Sequence, residues 1–278
     1  MSKKAAAPSS HLSAFVRGSF RDDDFAFDVY RAGHGPAVII LTEMPGISPQ
    51  VLGFASRVAE LGLSVIVPDL FGEAGRDPFV PSLAHGAAYM IRSIATTCVS
   101  REFNVLALGK SSPIVARLRR LAAAEHARCG GPGVGVVGMC FTGGFALAMA
   151  VDPIVLAPVL SQPSLPLPIT PAHAASIDCE PDALDAVAKR CAKDGLTVLG
   201  LRFHGDTLVP AARFQFLKDK LGDGFVAIEL DQADGHPEGP LPRHHSVLTA
   251  DLIDEPGEKT RDALDRVLTL FREKLLPA

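Results

Sequence analysis

The segment Gly138-Met139-Cys140-Phe141-Thr142-Gly143-Gly144 joins a short apolar run, 133–137, to a stretch of good helix formers, 145–150. Strand, sharp turn and helix in that order form the setting of a nucleophile elbow. A side chain at the apex of such a turn stands at a helix N-terminus. There the positive end of the dipole stabilises a thiolate, and backbone N–H groups can hold an oxyanion. Cys140 occupies the apex, so the chemistry on offer is attack by sulfur on a carbonyl carbon. Gly138 leaves room for the turn to close. Cys98, Cys129, Cys179 and Cys191 have no Gly-rich turn beside them and read as small packing residues.

Such an elbow needs a sheet to carry it, and the hydropathy pattern supplies one. Residues 25–30 alternate apolar and polar, while 37–41 and 63–67 are continuous apolar runs with strand length. Between the last two, 49–62 carries apolar residues at helical spacing, which makes a βαβ unit. Helical spacing recurs over 83–97, 113–127, 182–193, 211–221 and 258–276. Strands are expected over 133–137, 154–160, 196–203 and 225–230. Continuous apolar strands alternating with amphipathic helices imply an α/β fold, with a mostly parallel sheet covered by helices on both faces. Ligands of such sheets collect at the carboxyl ends of the strands. The Pro-rich stretch 161–181 lacks periodicity and is expected as a surface loop. Residues 1–20 read as a flexible N-terminal leader and 21–278 as one domain.

Composition narrows the function classes. The chain has 278 residues, 47% of them hydrophobic, which suffices for a large core. Its net charge of −4 leaves no surplus cation for a phosphate backbone, so nucleic acid is not expected as a partner. With no Trp and 2 Tyr it also lacks stacking surfaces for sugars or single-stranded nucleic acid. No apolar run is long enough to span a membrane, and a soluble cytoplasmic protein is expected. Five scattered cysteines without a Cys-x-x-Cys pair argue against a disulfide framework or zinc. No His-Glu-x-x-His set is present, and neither metal nor cofactor is expected. A monomer and a dimer fit the sequence equally.

Several further segments lie at strand ends: Leu41-Thr42-Glu43-Met44-Pro45-Gly46, Val67-Pro68-Asp69-Leu70-Phe71-Gly72 and His204-Gly205-Asp206-Thr207-Leu208-Val209-Pro210. His244-His245-Ser246 follows, ahead of the last helix. With the elbow, these segments in this order resemble the dienelactone hydrolase family of the α/β-hydrolase fold, over roughly 25–275. The resemblance implies a Cys140–Asp206–His245 triad, with Asp206 orienting the imidazole. It further implies that Glu43 sits beside the resting thiol and governs its protonation, and that the N–H groups of Met44 and Phe141 form the oxyanion hole. The implied activity is hydrolysis of a small ester, lactone or thioester through a covalent acyl-enzyme.

The chain departs from the family pattern in two places. The elbow of the family reads Gly-x-Cys-x-Gly, whereas Thr142 stands where the second glycine is expected. Glu73 and Thr249 occupy positions where the family carries the arginines that bind a dienelactone carboxylate, with Arg76 and Arg243 as neighbouring cations. Dienelactone itself is therefore not the expected substrate. His236 and His244 compete with His245 for the base. His236-Pro237-Glu238 moreover resembles the later motif of class I glutamine amidotransferases, which would pair Cys140 with His236 and Glu238. A third reading is a hydrolase-fold protein that binds a ligand without turning it over.

Overall fold

The computed structural model describes residues 12–22, 25–78, 89, 92–93, 102–239 and 243–277. Its strands are β1 (Val16–Asp22), β2 (Phe25–Gly33), β3 (Ala37–Leu41), β4 (Ser64–Pro68), β5 (Val134–Met139), β6 (Val155–Ser161), β7 (Val198–Phe203) and β8 (Phe225–Leu230). They form one sheet in the order β1-β2-β4-β3-β5-β6-β7-β8. Pairing is antiparallel between β1 and β2 and between β2 and β4, and parallel from β4 through β8.

The central strands are apolar throughout because both of their faces are covered. Ile39, Leu41, Val134 and Val136 pack in the core beneath the helices Ile114–Cys129, Gly143–Met149, Pro181–Asp194 and Ala211–Leu221. Val38, Ile40, Val137 and Met139 face the opposite core, closed by the helices Pro49–Glu60 and Lys259–Leu275. The period of two therefore divides one apolar run between two cores. The first of these helices starts on the Ser48 hydroxyl, which accepts from the Val51 N–H at 3.2 Å. Among the described residues no helix is long and apolar enough to cross a membrane.

Two sequence expectations are corrected. The 3-10 turn Leu12–Ala14 and most of β1 fall within the span 1–20 read as a leader, and β1 pairs with β2 from Val16 opposite Arg31 to Asp22 opposite Phe25. It is an edge strand with exposed Arg17 and Arg21, and its few apolar residues make no readable pattern. Residues 1–11 lie outside the described residues. The segment 161–181 is a surface loop only in its middle, where 169–172 are exposed, since Ser161, Gln162, Ser164, Leu165 and Asp178 near its ends are fully buried. Most of the helix expected over 83–97, and Cys98, lie outside the described residues.

Asp178 ties this segment to the start of the helix Ile114–Cys129. It accepts from the Ser112 N–H at 3.0 Å and the Ser112 hydroxyl at 2.6 Å. Burial outweighs both bonds and pushes its carboxyl from 3.8 up to about 7. Between these values the native protein holds a proton that the unfolded chain has released. Stability contributed by this group is thus full below the lower value and is lost as pH rises through the upper one. Asp178→Asn keeps an acceptor for the Ser112 N–H and carries no charge. Its melting temperature is expected to vary less than that of the wild type between about pH 5 and 8, with the gain at the alkaline end, as thermal scans across that range would show.

Candidate active site

β5 delivers Cys140 to the carboxyl edge of the sheet, and the chain turns there through the 3-10 turn Cys140–Thr142 into the helix Gly143–Met149. Cys140 has a φ of +54°, in the left-handed region that side chains avoid. The surroundings hold it there. Thr142 Oγ1 accepts from the Met139 N–H at 2.9 Å and donates to the Leu41 carbonyl at 2.9 Å, pinning the turn to the end of β3. The Ser164 N–H donates to the Cys140 carbonyl at 2.9 Å. A Cβ on Gly138 would lie 2.1 Å from the Thr142 carbonyl oxygen, so the turn closes only over glycine.

This geometry explains the departure at Thr142. The close approach falls to the next residue, Gly143, where a Cβ would lie 2.4 Å from Pro163 Cα. Thr142 is free to act as a buried hydrogen-bonding pin. Gly143→Ala is expected to push Pro163 and Ser164 off the elbow, at about 1–3 kcal/mol of stability. Thermal denaturation and kcat/KM should fall together in this variant.

His245 is buried and its Nδ1 lies 2.6 Å from Asp206 Oδ2. Asp206 follows β7, and its other oxygen accepts from the Leu208 N–H at 2.9 Å. Nε2 of His245 makes no well-formed hydrogen bond, and the Cys140 sulfur lies beside it. Burial alone would lower the pKa of this ring. The charge on Cys140 and the Asp206 hydrogen bond overcome it and raise the pKa well above the usual histidine value.

The neighbouring histidine has a different partner. His244 Nδ1 lies 2.8 Å from Asp251 Oδ1, and Asp251 Oδ2 accepts the N–H groups of His245 and Ser246, each at 2.8 Å. Asp251 thus fixes the backbone that presents His245. His236 is turned into its own loop, where its N–H donates to the Asp251 carbonyl and its Nδ1 accepts from the Glu238 N–H at 3.2 Å. The Glu238 side chain is exposed. The structure therefore joins Cys140, His245 and Asp206, and does not assemble Cys140 with His236 and Glu238.

Glu43 follows β3 into the site but does not hydrogen-bond the sulfur. Its Oε2 accepts from Ser246 Oγ at 2.7 Å and from Gln162 Nε2 at 3.0 Å, and its Oε1 accepts from Thr249 Oγ1. Burial raises its pKa, against the pull of the Thr249 and Ser246 hydroxyls and of His245. Met44 and Phe141 share one apolar cluster with Cys140, Phe71 and Leu165. Leu70, Phe103, Val105 and Leu167 pack around it, half-buried. Neighbouring arginines are committed elsewhere. Arg76 bonds Glu73 at 3.1 Å and covers the Tyr89 ring, while Arg243 donates to the Gly205 carbonyl at 2.8 Å.

Sequence reasoning missed Gln162, Ser164 and Asp251. Asp251 bonds the backbone of His245 and Ser246, six and five residues before it, and Ser164 bonds a sulfur 24 residues before it, and neither contact has a motif that marks it in the sequence. Gln162 carries a φ of +37° at the end of β6, in a stretch that shows only as Pro-rich.

The dienelactone hydrolase family matches residues 26–231, and the chain belongs to that family and is an ester-bond hydrolase. The matched segment includes Glu43, Cys140 and Asp206 and ends before His245. Solved structures agree on the α/β-hydrolase fold. A dienelactone hydrolase from Anabaena variabilis has a TM-score of 0.59 and 15% identity, over 94% of this chain and 98% of its own. An esterase from Pyrococcus furiosus has a TM-score of 0.57 and 12% identity, over 95% and 93%. A dienelactone hydrolase-like promiscuous phosphotriesterase from metagenomic libraries has a TM-score of 0.56 and 18% identity, over 94% and 98%. No curated protein matches the chain.

Proposed function

We propose that the protein is a cysteine hydrolase that opens a small ester, lactone or thioester through a covalent acyl-enzyme. The observation that carries this reading is Cys140 at a left-handed apex beside the buried His245–Asp206 pair. Sγ of Cys140 attacks the substrate carbonyl, and the oxyanion accepts the N–H groups of Met44 and Phe141. Collapse of this adduct breaks the carbon–oxygen or carbon–sulfur bond to the leaving group, which takes the proton of His245 Nε2. A thioester on Cys140 remains. Water then adds to the thioester carbon while His245 Nε2 takes its proton, and Cys140 departs as thiolate. Asp206 orients the imidazole and supports its positive charge. Glu43 acts on the reaction as a positioning residue, tying the loop behind His245 to the end of β3 through Ser246 and Thr249.

The apolar surroundings of Cys140 select the acyl group. Phe71, Leu165 and their neighbours offer contact area and no counter-charge, and the acid Glu43 stands close behind. Neutral acyl groups fit this setting, and a free carboxylate such as that of dienelactone does not. p-Nitrophenyl butyrate is expected to exceed mono-p-nitrophenyl succinate in kcat/KM by roughly tenfold or more, the effect of leaving one charge unpaired. Equal rates, or preference for the succinate, would overturn this selection. The mechanism itself is tested by acid-quenching the enzyme during turnover of p-nitrophenyl butyrate. A butyryl mass on the peptide bearing Cys140 is the expected result, and an unmodified peptide with full turnover would refute the acyl-enzyme.

A further inference from the structure

Among the described residues, the side chain besides His245 that reaches the Cys140 sulfur is a hydroxyl. Ser164 is fully buried, and its Oγ lies 3.5 Å from Cys140 Sγ, within range for an O–H donor to sulfur. Its N–H holds the Cys140 carbonyl at 2.9 Å, so backbone and side chain of the same residue both engage the nucleophile. Glu43, which the family resemblance places on the sulfur, has both oxygens occupied by Gln162, Ser246 and Thr249. The contact to sulfur in this chain is therefore neutral and donating where an acidic, accepting one was expected.

We infer that Ser164 is a further catalytic residue, whose hydroxyl donates to Cys140 Sγ whenever that sulfur carries charge. The inference rests on Cys140 being the nucleophile. A Ser hydroxyl has one proton, and Ser164 Oγ has two acceptors, Cys140 Sγ and the Gln162 carbonyl at 3.0 Å. The carbonyl is fixed, since the Gln162 N–H donates to Leu201 O at 2.7 Å and its side chain bonds Ser161 and Glu43. A charged acceptor attracts a donor roughly twice as strongly as a neutral one. The hydroxyl therefore turns to the sulfur when Cys140 is a thiolate. It turns to Gln162 when the sulfur becomes a thioester, which is a poor acceptor, and it returns as the carbon–sulfur bond breaks in deacylation. Its own O–H bond is never broken. Ser164 thereby favours the thiolate both as attacking group and as leaving group.

The test compares the pH profile of iodoacetamide alkylation at Cys140 in wild type, Ser164→Ala and Ser164→Thr, alongside their melting temperatures. Loss of one hydrogen bond to a charged group predicts a roughly tenfold or greater fall in alkylation rate at neutral pH for Ser164→Ala. The rate is expected to recover toward the wild-type plateau at high pH, and Ser164→Thr, which keeps the hydroxyl, to lie near the wild type. Should Ser164→Ala not fold, Ser164→Gly removes the same hydroxyl without adding an atom. A profile that overlays the wild type would overturn the proposal. So would an equal drop at all pH values, which marks a structural role alone. In parallel, wild type alkylated at Cys140 is assayed with p-nitrophenyl butyrate. Retained hydrolysis would refute Cys140 as nucleophile and with it any catalytic role for Ser164, whereas lost hydrolysis with an unmoved Ser164→Ala profile refutes Ser164 alone.

Discussion

Cys140→Ala and His245→Ala are each expected to lower kcat/KM for p-nitrophenyl butyrate by roughly 10^4-fold or more, and the double variant to be hardly worse than either. Groups that act as one unit fail as one unit, so the lack of additivity is as informative as the size of the loss. Asp206→Asn should fall by about 10^3–10^4-fold, because an amide presents the wrong partner to Nδ1. The contrast lies with the other histidines. His244 bonds Asp251 and His236 bonds its own loop, so His236→Ala should stay near wild type and His244→Ala should lose activity only through a loosened backbone at His245. A variant series in which His236→Ala is as damaged as His245→Ala would defeat the triad.

The same contacts set a pH signature. Burial works to deprotonate His245, and the charge of Cys140 together with the Asp206 bond reverses it, raising the pKa well above the usual value. In the proposed mechanism protonated His245 is the acid for the leaving group, so activity should be lost as pH rises through that raised value. Asp206→Asn removes one of the raising contacts. Its alkaline limb should therefore appear at lower pH than in the wild type, a shift that stopped-flow rates across the alkaline range would resolve.

Much of this site can be read in the sequence because its parts sit at the ends of elements with strong local signals. A strand, a tight turn and a helix written in successive residues place Cys140, and the segment after an apolar run places Asp206. The adjacent pair His244-His245 shows why the reading stops there. Local sequence treats the two alike, and their different partners, Asp251 for His244 and Asp206 for His245, set them apart. β1 was hidden for the opposite reason: its place is dictated by register against β2, with too little apolar side chain to declare itself. Burial of 161–166 and 177–179 was equally invisible, since Pro, Ser and Gln become interior residues only where their backbone polar groups find donors.

Four carbonyls of the segment 161–181 find their donors on one side chain, and removing it is expected to produce a large stability change. Arg213 lies in the helix Ala211–Leu221 and is fully buried, with no carboxylate among the described residues in hydrogen-bonding contact. Its Nε donates to the Ser176 carbonyl at 2.7 Å. Nη1 reaches Pro163 at 2.7 Å and Leu208 at 3.3 Å, and Nη2 reaches Pro166 at 2.5 Å and His173 at 3.0 Å, all to carbonyl oxygens. Burial lowers its pKa to about 10, against the pull of Asp206, so the group remains charged at neutral pH. One guanidinium thus fastens the chain that carries Ser164 and Leu165 to the loop that carries Asp206. Arg213→Met strands several carbonyls at once, and a loss of about 3–5 kcal/mol is expected. For a chain of this size that corresponds to a fall of roughly 10 °C in melting temperature. Arg213→Lys should recover little of it, because a point charge on a flexible stem cannot span the same carbonyls as a planar fork. At temperatures where the variant is still folded, kcat/KM should also drop, since both the elbow and the Asp206 loop lose a shared anchor. A melting temperature within 2 °C of wild type would show that the segment holds its place without the clamp.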